Sequence, residues 1–204
     1  MIKNITQGLD SNQLDNISLL LYYFYNRIKM NKTLTSIFET QGPQSLNISN
    51  QSFSEDNIFE EFIDSSFFHQ VNFINCSFEG CELLGVNFNF CVFEGCTFNH
   101  TIIRKSEFTD CVFKNCQFIE SQLTPKTNFF RTLFINSQFS SVDFSFTFLC
   151  ECEFIEINLI KTKFKGTSVV DPKTEKITFN DLEFDKTKPM RIQITDSLFF
   201  PKEI

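Results

Sequence analysis

The chain offers eight cysteines, two histidines and a run of carboxylates as residues that could do chemistry. Cys76, Cys81, Cys91, Cys96, Cys111 and Cys116 stand on a grid of fives, and Cys152 rejoins it after a one-residue slip; Cys150 stands off the grid. Thiols in this pattern suggest a metal site, a disulfide ladder or a nucleophile. A tetrahedral metal site needs converging ligands, commonly including His, yet His69 and His100 fall at other positions of the five-residue count. A nucleophilic Cys needs a base beside it, and no Ser/Cys–His–Asp set, Gly-rich phosphate loop or carboxylate pair emerges. Glu55, Asp56, Glu60, Glu61 and Asp64 read as a solvated acidic face. Asn47 and Asn99 begin Asn-x-Ser/Thr sequons, which a chain rich in these residues produces by chance. The composition therefore argues against catalysis, and no cofactor or metal is implied.

The grid on which the thiols stand is the organising feature. From Phe68 to Leu123, and after a slip at Thr124–Asn128 from Phe129 to Phe164, an apolar residue returns at every fifth position; fifteen of the twenty are Phe. Two residues before each centre comes Cys, Ser, Thr, Val or Ile, and neither position is ever charged. A helix repeats its buried face every 3.6 residues and a strand every two. A period of five instead describes a short strand followed by a corner. One such unit cannot bury its own face, so units must wind into coils and coils must stack, about 4.8 Å apart if hydrogen-bonded as strands.

The units VNFIN, CSFEG, CVFEG, CTFNH, CVFKN, CQFIE and SQFSS resemble the pentapeptide-repeat family. The resemblance implies an all-β solenoid, a right-handed quadrilateral β-helix with four units per coil. The family's usual Ala two before Leu is replaced, for the chain contains no Ala, and this favours the Phe-centred variants. Twenty residues per coil stacks Phe73, Phe93, Phe113, Phe134 and Phe154 in one column, and Phe78, Phe98, Phe118, Phe139 and Leu159 in the next. Phe is required there because a phenol would need a partner in a dry core. The thiols, interchangeable with Ser, Thr and Val, then read as small buried side chains. A reducing cytoplasm follows from that reading, and Cys150 is the outward thiol.

Three regions are expected. Residues 1–65 form an α-helical capping region and linker, with an amphipathic helix between Ser11 and Met30 (Leu14, Ile17, Leu21, Phe24, Ile28) and a loop at Gly42-Pro43. Residues 66–166 form about five coils. Residues 167–204 break at Asp171-Pro172-Lys173, then add repeat-like units at Ile177, Phe179, Leu182 and Phe184 and a cap after Pro189. The apolar run Ile17–Tyr25 is too short to span a membrane, and no cleavage pattern follows it.

The net charge is −7, of which the stretch 66–165 carries only ten acidic and eight basic residues. Without a basic stripe, direct nucleic-acid binding is not expected. Outward positions beside the Phe73 column read Val92, Val112 and Leu133 before the centre and Ile74, Ile135 and Ile155 after it. Such a patch marks something that covers it, whether the chain's own termini, a second copy or another protein. The expected function is a non-enzymatic protein-binding scaffold. The alternative rests on similarity of the Phe-centred, Cys-rich repeats to the quinolone-resistance branch of the family, which implies a DNA mimic that binds gyrase or another topoisomerase. The near-balanced repeat argues against that alternative. Composition rich in Phe, Asn, Ile and Lys fits a bacterial AT-rich genome.

Overall fold

Two inward side chains two apart need three residues of strand, and the remaining two residues must turn. The computed structural model describes residues 33–175 and 178–180, and it realises this unit throughout. Three-residue parallel strands stack into four sheets, one per face of the coil. The first face runs from Asn47–Ser49 to Ser168–Val170, the second from Ser52–Ser54 to Lys173–Glu175, and the third from Asn57–Phe59 to Thr178–Asn180. Register steps by twenty residues, as in Val92↔Val112, and by twenty-one across the slip, as in Val112↔Leu133. The fourth face has strands Phe62–Asp64, Glu82–Leu84 and Ile102–Arg104, and continues only as single bridges through Gln122, Asp143 and Lys163. Its strand lapses where the extra residue is inserted beside Pro125, which has no N–H for the ladder.

Every corner needs a left-handed residue. Among the described residues, twenty-two non-glycine residues have positive φ, from Ser45 at 54° to Asp171 at 46°, and four corners use Gly80, Gly85, Gly95 and Gly166. Such a conformation costs an L-residue about 1–2 kcal/mol. It is held because the corner N–H donates to the next coil, for example Asn75 to the Glu94 carbonyl at 2.8 Å and Ser141 to the Ile160 carbonyl at 2.8 Å. Ser141 is exposed at φ 57°. Ser141→Gly should therefore be neutral or stabilising by about 0.5 kcal/mol, whereas β-branched Ser141→Val should cost about 1 kcal/mol. Chemical denaturation of the two variants checks the order, and a Val variant as stable as the Gly variant would refute it.

The coil starts earlier than the pattern from residue 66 suggests. Residues 45–64 make the first full coil, centred on Ile48, Phe53, Ile58 and Ile63. The positions two before Phe53, Ile58 and Ile63 hold Gln51, which is exposed, Asp56, which is buried, and Glu61, which is half-buried, and their polarity hides the period. At the other end the register does not break at Asp171-Pro172-Lys173. Asp171 takes a corner, Lys173–Glu175 pairs with Glu153–Ile155, and Thr178–Asn180 pairs with Asn158–Ile160. About six turns result, rather than five.

The first coil is covered by α1 (Leu34–Gln41), a helix that the sequence reading leaves inside a capping region and linker. Thr33 caps it by accepting the Ser36 N–H at 3.0 Å, and Gly42, at φ 77°, ends it by donating to the Phe38 carbonyl at 2.8 Å. Leu34, Ile37 and Phe38 are buried in the solenoid core. Asp56 is buried at the inward position of the first coil, where its carboxylate accepts the Thr35 N–H at 3.2 Å and the Thr35 hydroxyl at 2.7 Å. The helix expected between Ser11 and Met30, the units at Ile177, Leu182 and Phe184, and the cap after Pro189 lie outside the described residues.

The core is a lattice of rings. Within columns they are near-parallel: Phe73–Phe93 at 4.8 Å and 7°, Phe93–Phe113 at 4.6 Å and 4°, Phe98–Phe118 at 4.5 Å and 5°. Between columns they meet edge to face, as Phe73–Phe78 does at 5.7 Å and 68°. Phe73, Phe78, Phe93, Phe98, Phe113, Phe118, Phe134 and Phe139 are all buried; Phe154 is half-buried. Both arrangements are favoured ring geometries, worth about 0.5–1.5 kcal/mol per pair beyond area.

Candidate interaction faces

The inward thiols have a role beyond packing. Each donates across coils to the carbonyl of a core centre: Cys91 to Phe68 at 3.4 Å, Cys96 to Phe73 at 3.3 Å, Cys116 to Phe93 at 3.2 Å and Cys152 to Phe129 at 3.4 Å. Hydroxyls in the same positions do likewise, Ser121 to Phe98 at 2.8 Å and Thr132 to Phe108 at 3.0 Å. Cys, Ser and Thr interchange there because each is small and carries one donor. Burial pushes the Cys81 thiol up to about 11 and the Cys152 thiol up to about 12. Such thiols are not nucleophiles at neutral pH, and all eight are free. Cys150 is half-buried on the first face, between Phe130 and Val170 on the neighbouring strands. Among the described residues, no three His, Cys, Asp or Glu side chains are grouped to hold a metal ion.

Binding chemistry must then lie on the outward rows. On the second face the strand register sets Val92, Val112 and Leu133 side by side, with Ile135 beside Ile155 in the adjacent row. Those five are half-buried by their neighbours. Ile74, 37% exposed, stands apart, because Glu94 and Lys114 occupy the two strands between it and Ile135. The Lys114 ammonium donates to Glu94 at 2.8 Å, and Lys173 donates to Glu153 at 2.7 Å beyond Leu133. The patch is thus a strip closed at two ends by ion pairs. On the neighbouring corner Arg131 forks onto Asp110 at 2.7 and 2.8 Å, and this hydrogen-bonded charge holds the Asp110 carboxyl below the usual range. These contacts are exposed and screened, so they set surface pattern more than stability.

Several outward aromatics escape the sequence reading. Phe59, Phe62 and Phe67 are exposed on the first two coils, and Phe90 and Phe146 at corners. His69 stacks on Phe67 at 6.1 Å and meets Phe90 edge-on at 5.7 Å. A ring at an outward position looks, in one dimension, like its neighbour at the centre, as the pair Phe67-Phe68 shows. His100 approaches Glu120 at 3.4 Å on the opposite side of the coil.

Four faces of five-residue units around a ladder of stacked centres define a parallel β-solenoid built from pentapeptides. The profile of the family described as "Pentapeptide repeats" matches in eight copies over residues 67–104, 91–124 and 131–170. Over these residues the chain belongs to the pentapeptide-repeat family. Among solved structures it is similar to a pentapeptide repeat protein of the Arabidopsis thaliana thylakoid lumen, at 15% identity and a TM-score of 0.46, covering 51% of this chain and 70% of that one. It is similar to QnrB1, a plasmid-mediated fluoroquinolone resistance protein, at 18% identity and a TM-score of 0.41, covering 65% and 81%. It is also similar to HetL of the cyanobacterium Nostoc, involved in heterocyst differentiation regulation, at 8% identity and a TM-score of 0.25, covering 74% and 90%. No curated protein sequence matches the chain. No helix among the described residues is long and apolar enough to cross a membrane.

Proposed function

We propose that this protein is a non-enzymatic scaffold that binds another protein through the second face. The observation that carries the reading is the apolar strip of Val92, Val112, Leu133, Ile135 and Ile155, closed by the Glu94–Lys114 and Glu153–Lys173 pairs. An apolar centre with charged margins is the composition of a protein docking surface. Mimicry of DNA toward gyrase or another topoisomerase needs a continuous acidic face, and here acids on the second face and its corner are cancelled by bases one coil away. Free, buried thiols suit a cytoplasmic setting.

The test is a photo-crosslinker at position 133, with a second placed at Gln117 on the third face, in extract of the cells that make the protein. One protein captured at 133 and not at 117, and lost in Leu133→Glu/Ile135→Lys with the melting temperature kept, is the expected result. Equal capture by both positions, or capture that survives the double substitution, would exclude the second face. Purified gyrase bound by that double variant, and displaced by DNA, would favour mimicry instead.

A further inference from the structure

The fourth face carries charge in a pattern that a half-turn maps onto its opposite. Its first coil presents Glu60 at the corner and Asp64 beyond the centre; its sixth presents Lys161 and Lys165 at the same two lateral positions. Between them, His100 of the third coil and Glu120 of the fourth share the corner column. At the opposite corner the second coil has Gly85, with no side chain, and the fifth has Phe146, 57% exposed.

Consider a two-fold axis lying across this face between the third and fourth coils. It exchanges coil one with six, two with five and three with four, and it keeps each lateral position. Glu60 then meets Lys161 of the other copy, Asp64 meets Lys165, His100 meets Glu120, and Phe146 lies over the bare corner of Gly85. An isologous contact makes each of these pairs twice. Glu60, Asp64, Lys161 and Lys165 make no ion pair among the described residues, and Asp64 accepts the neighbouring Ser65 hydroxyl at 2.9 Å through one oxygen only, which leaves the other for a cation. Two like-charged meetings remain. Glu82 faces Asp143, but Glu82 is already neutralised by Arg104 in its own chain. Lys105 faces Lys126, both at an exposed corner where water screens them.

We propose that the fourth face is the site where two copies of this chain associate, antiparallel and face to face. The pairing is a matter of charge register, so it fixes orientation and is sensitive to salt. It also leaves the second face open to a different protein.

Solution mass of the full chain by light scattering tests this, with circular dichroism as the check on folding. The wild type is expected at twice the chain mass in low salt, and lighter as salt rises. Glu60→Lys/Asp64→Lys and Lys161→Glu/Lys165→Glu should each weaken association by about tenfold or more, because four like-charge contacts replace four attractive ones. Mixing the two variants should restore a dimer, and so should all four exchanges in one chain, because the mismatched charges become matched. A wild type that is monomeric at low salt overturns the proposal. So does a dimer indifferent to both reversals, or a mixture that stays monomeric while both variants remain folded. None of these results bears on capture at position 133, so the two readings fail separately.

Discussion

Phe113→Ala is expected to destabilise the solenoid by about 3–5 kcal/mol, the range for deleting a fully buried ring. Phe113 is 0% exposed and touches five other rings. It stacks on Phe93 at 4.6 Å and Phe134 at 5.1 Å, and meets Phe98, Phe108 and Phe118 between 5.5 and 5.9 Å at steep angles. Strands above and below are tied by backbone hydrogen bonds at fixed spacing, so the coil has little room to collapse into the space. Phe113→Leu keeps most of the volume and should cost about 1.5 kcal/mol or less. Half-buried Phe154, near the end of the column, should lose clearly less on truncation than Phe113. Because each coil contacts only its neighbours, a weak coil in the middle also uncouples the two halves. A lower m-value or two transitions in urea should accompany Phe113→Ala. A loss below about 1.5 kcal/mol in a single unchanged transition would mean that the ring lattice does not carry the stability assigned to it.

Period five was legible because every centre is apolar and no helix or strand shares that period. The Phe73 and Phe78 columns follow from counting twenty, and the ion pair of Glu94 with Lys114 from the same count. The first coil was obscured because Asp56 and Glu61 interrupt the small inward residues, although Ile48, Phe53, Ile58 and Ile63 keep the period. The signals for α1 were also present: Thr33 as a cap, Leu34, Ile37 and Phe38 on one face, and Gly42 after the end. Eight residues give such a helix little stability of its own, so its packing decides it. The donor role of the inward thiols joins residues twenty-three apart through a backbone carbonyl, as Cys96 is joined to Phe73. No pattern of side-chain types can display that. The pairing of Glu60 with Lys161 is further hidden, for it depends on the slip at Pro125 and on a symmetry outside the chain.

The same column shows why a carboxylate is tolerated at one coil and should not be at another. Asp56, Cys76, Cys96 and Cys116 succeed each other at one inward position. At Asp56 the carboxylate, which only accepts hydrogen bonds, finds donors in the N–H and hydroxyl of Thr35 in the first turn of α1, where the helix dipole also favours negative charge. At Cys116 the groups in reach are the Phe93 and Lys114 carbonyls, both of them acceptors. Cys116→Ser keeps the donor and should change stability by less than about 1 kcal/mol, whereas Cys116→Asp places acceptor against acceptor in a dry core and should cost about 3 kcal/mol or more. Protonation turns the introduced acid into a donor, so its folded-state pKa is raised above the unfolded value near 3.9. The penalty is therefore smallest below that value, grows as pH rises from it to the folded pKa, and is constant above. Asp56→Cys should behave in the opposite way: it removes two acceptors from α1, costs about 1–3 kcal/mol and loosens the helix first, read as faster amide exchange over Leu34–Gln41. If Cys116→Asp proved no worse than Cys116→Ser, or if its penalty did not lessen in acid, the inward position would be a matter of size alone and the thiol-to-carbonyl ladder would have no energetic role.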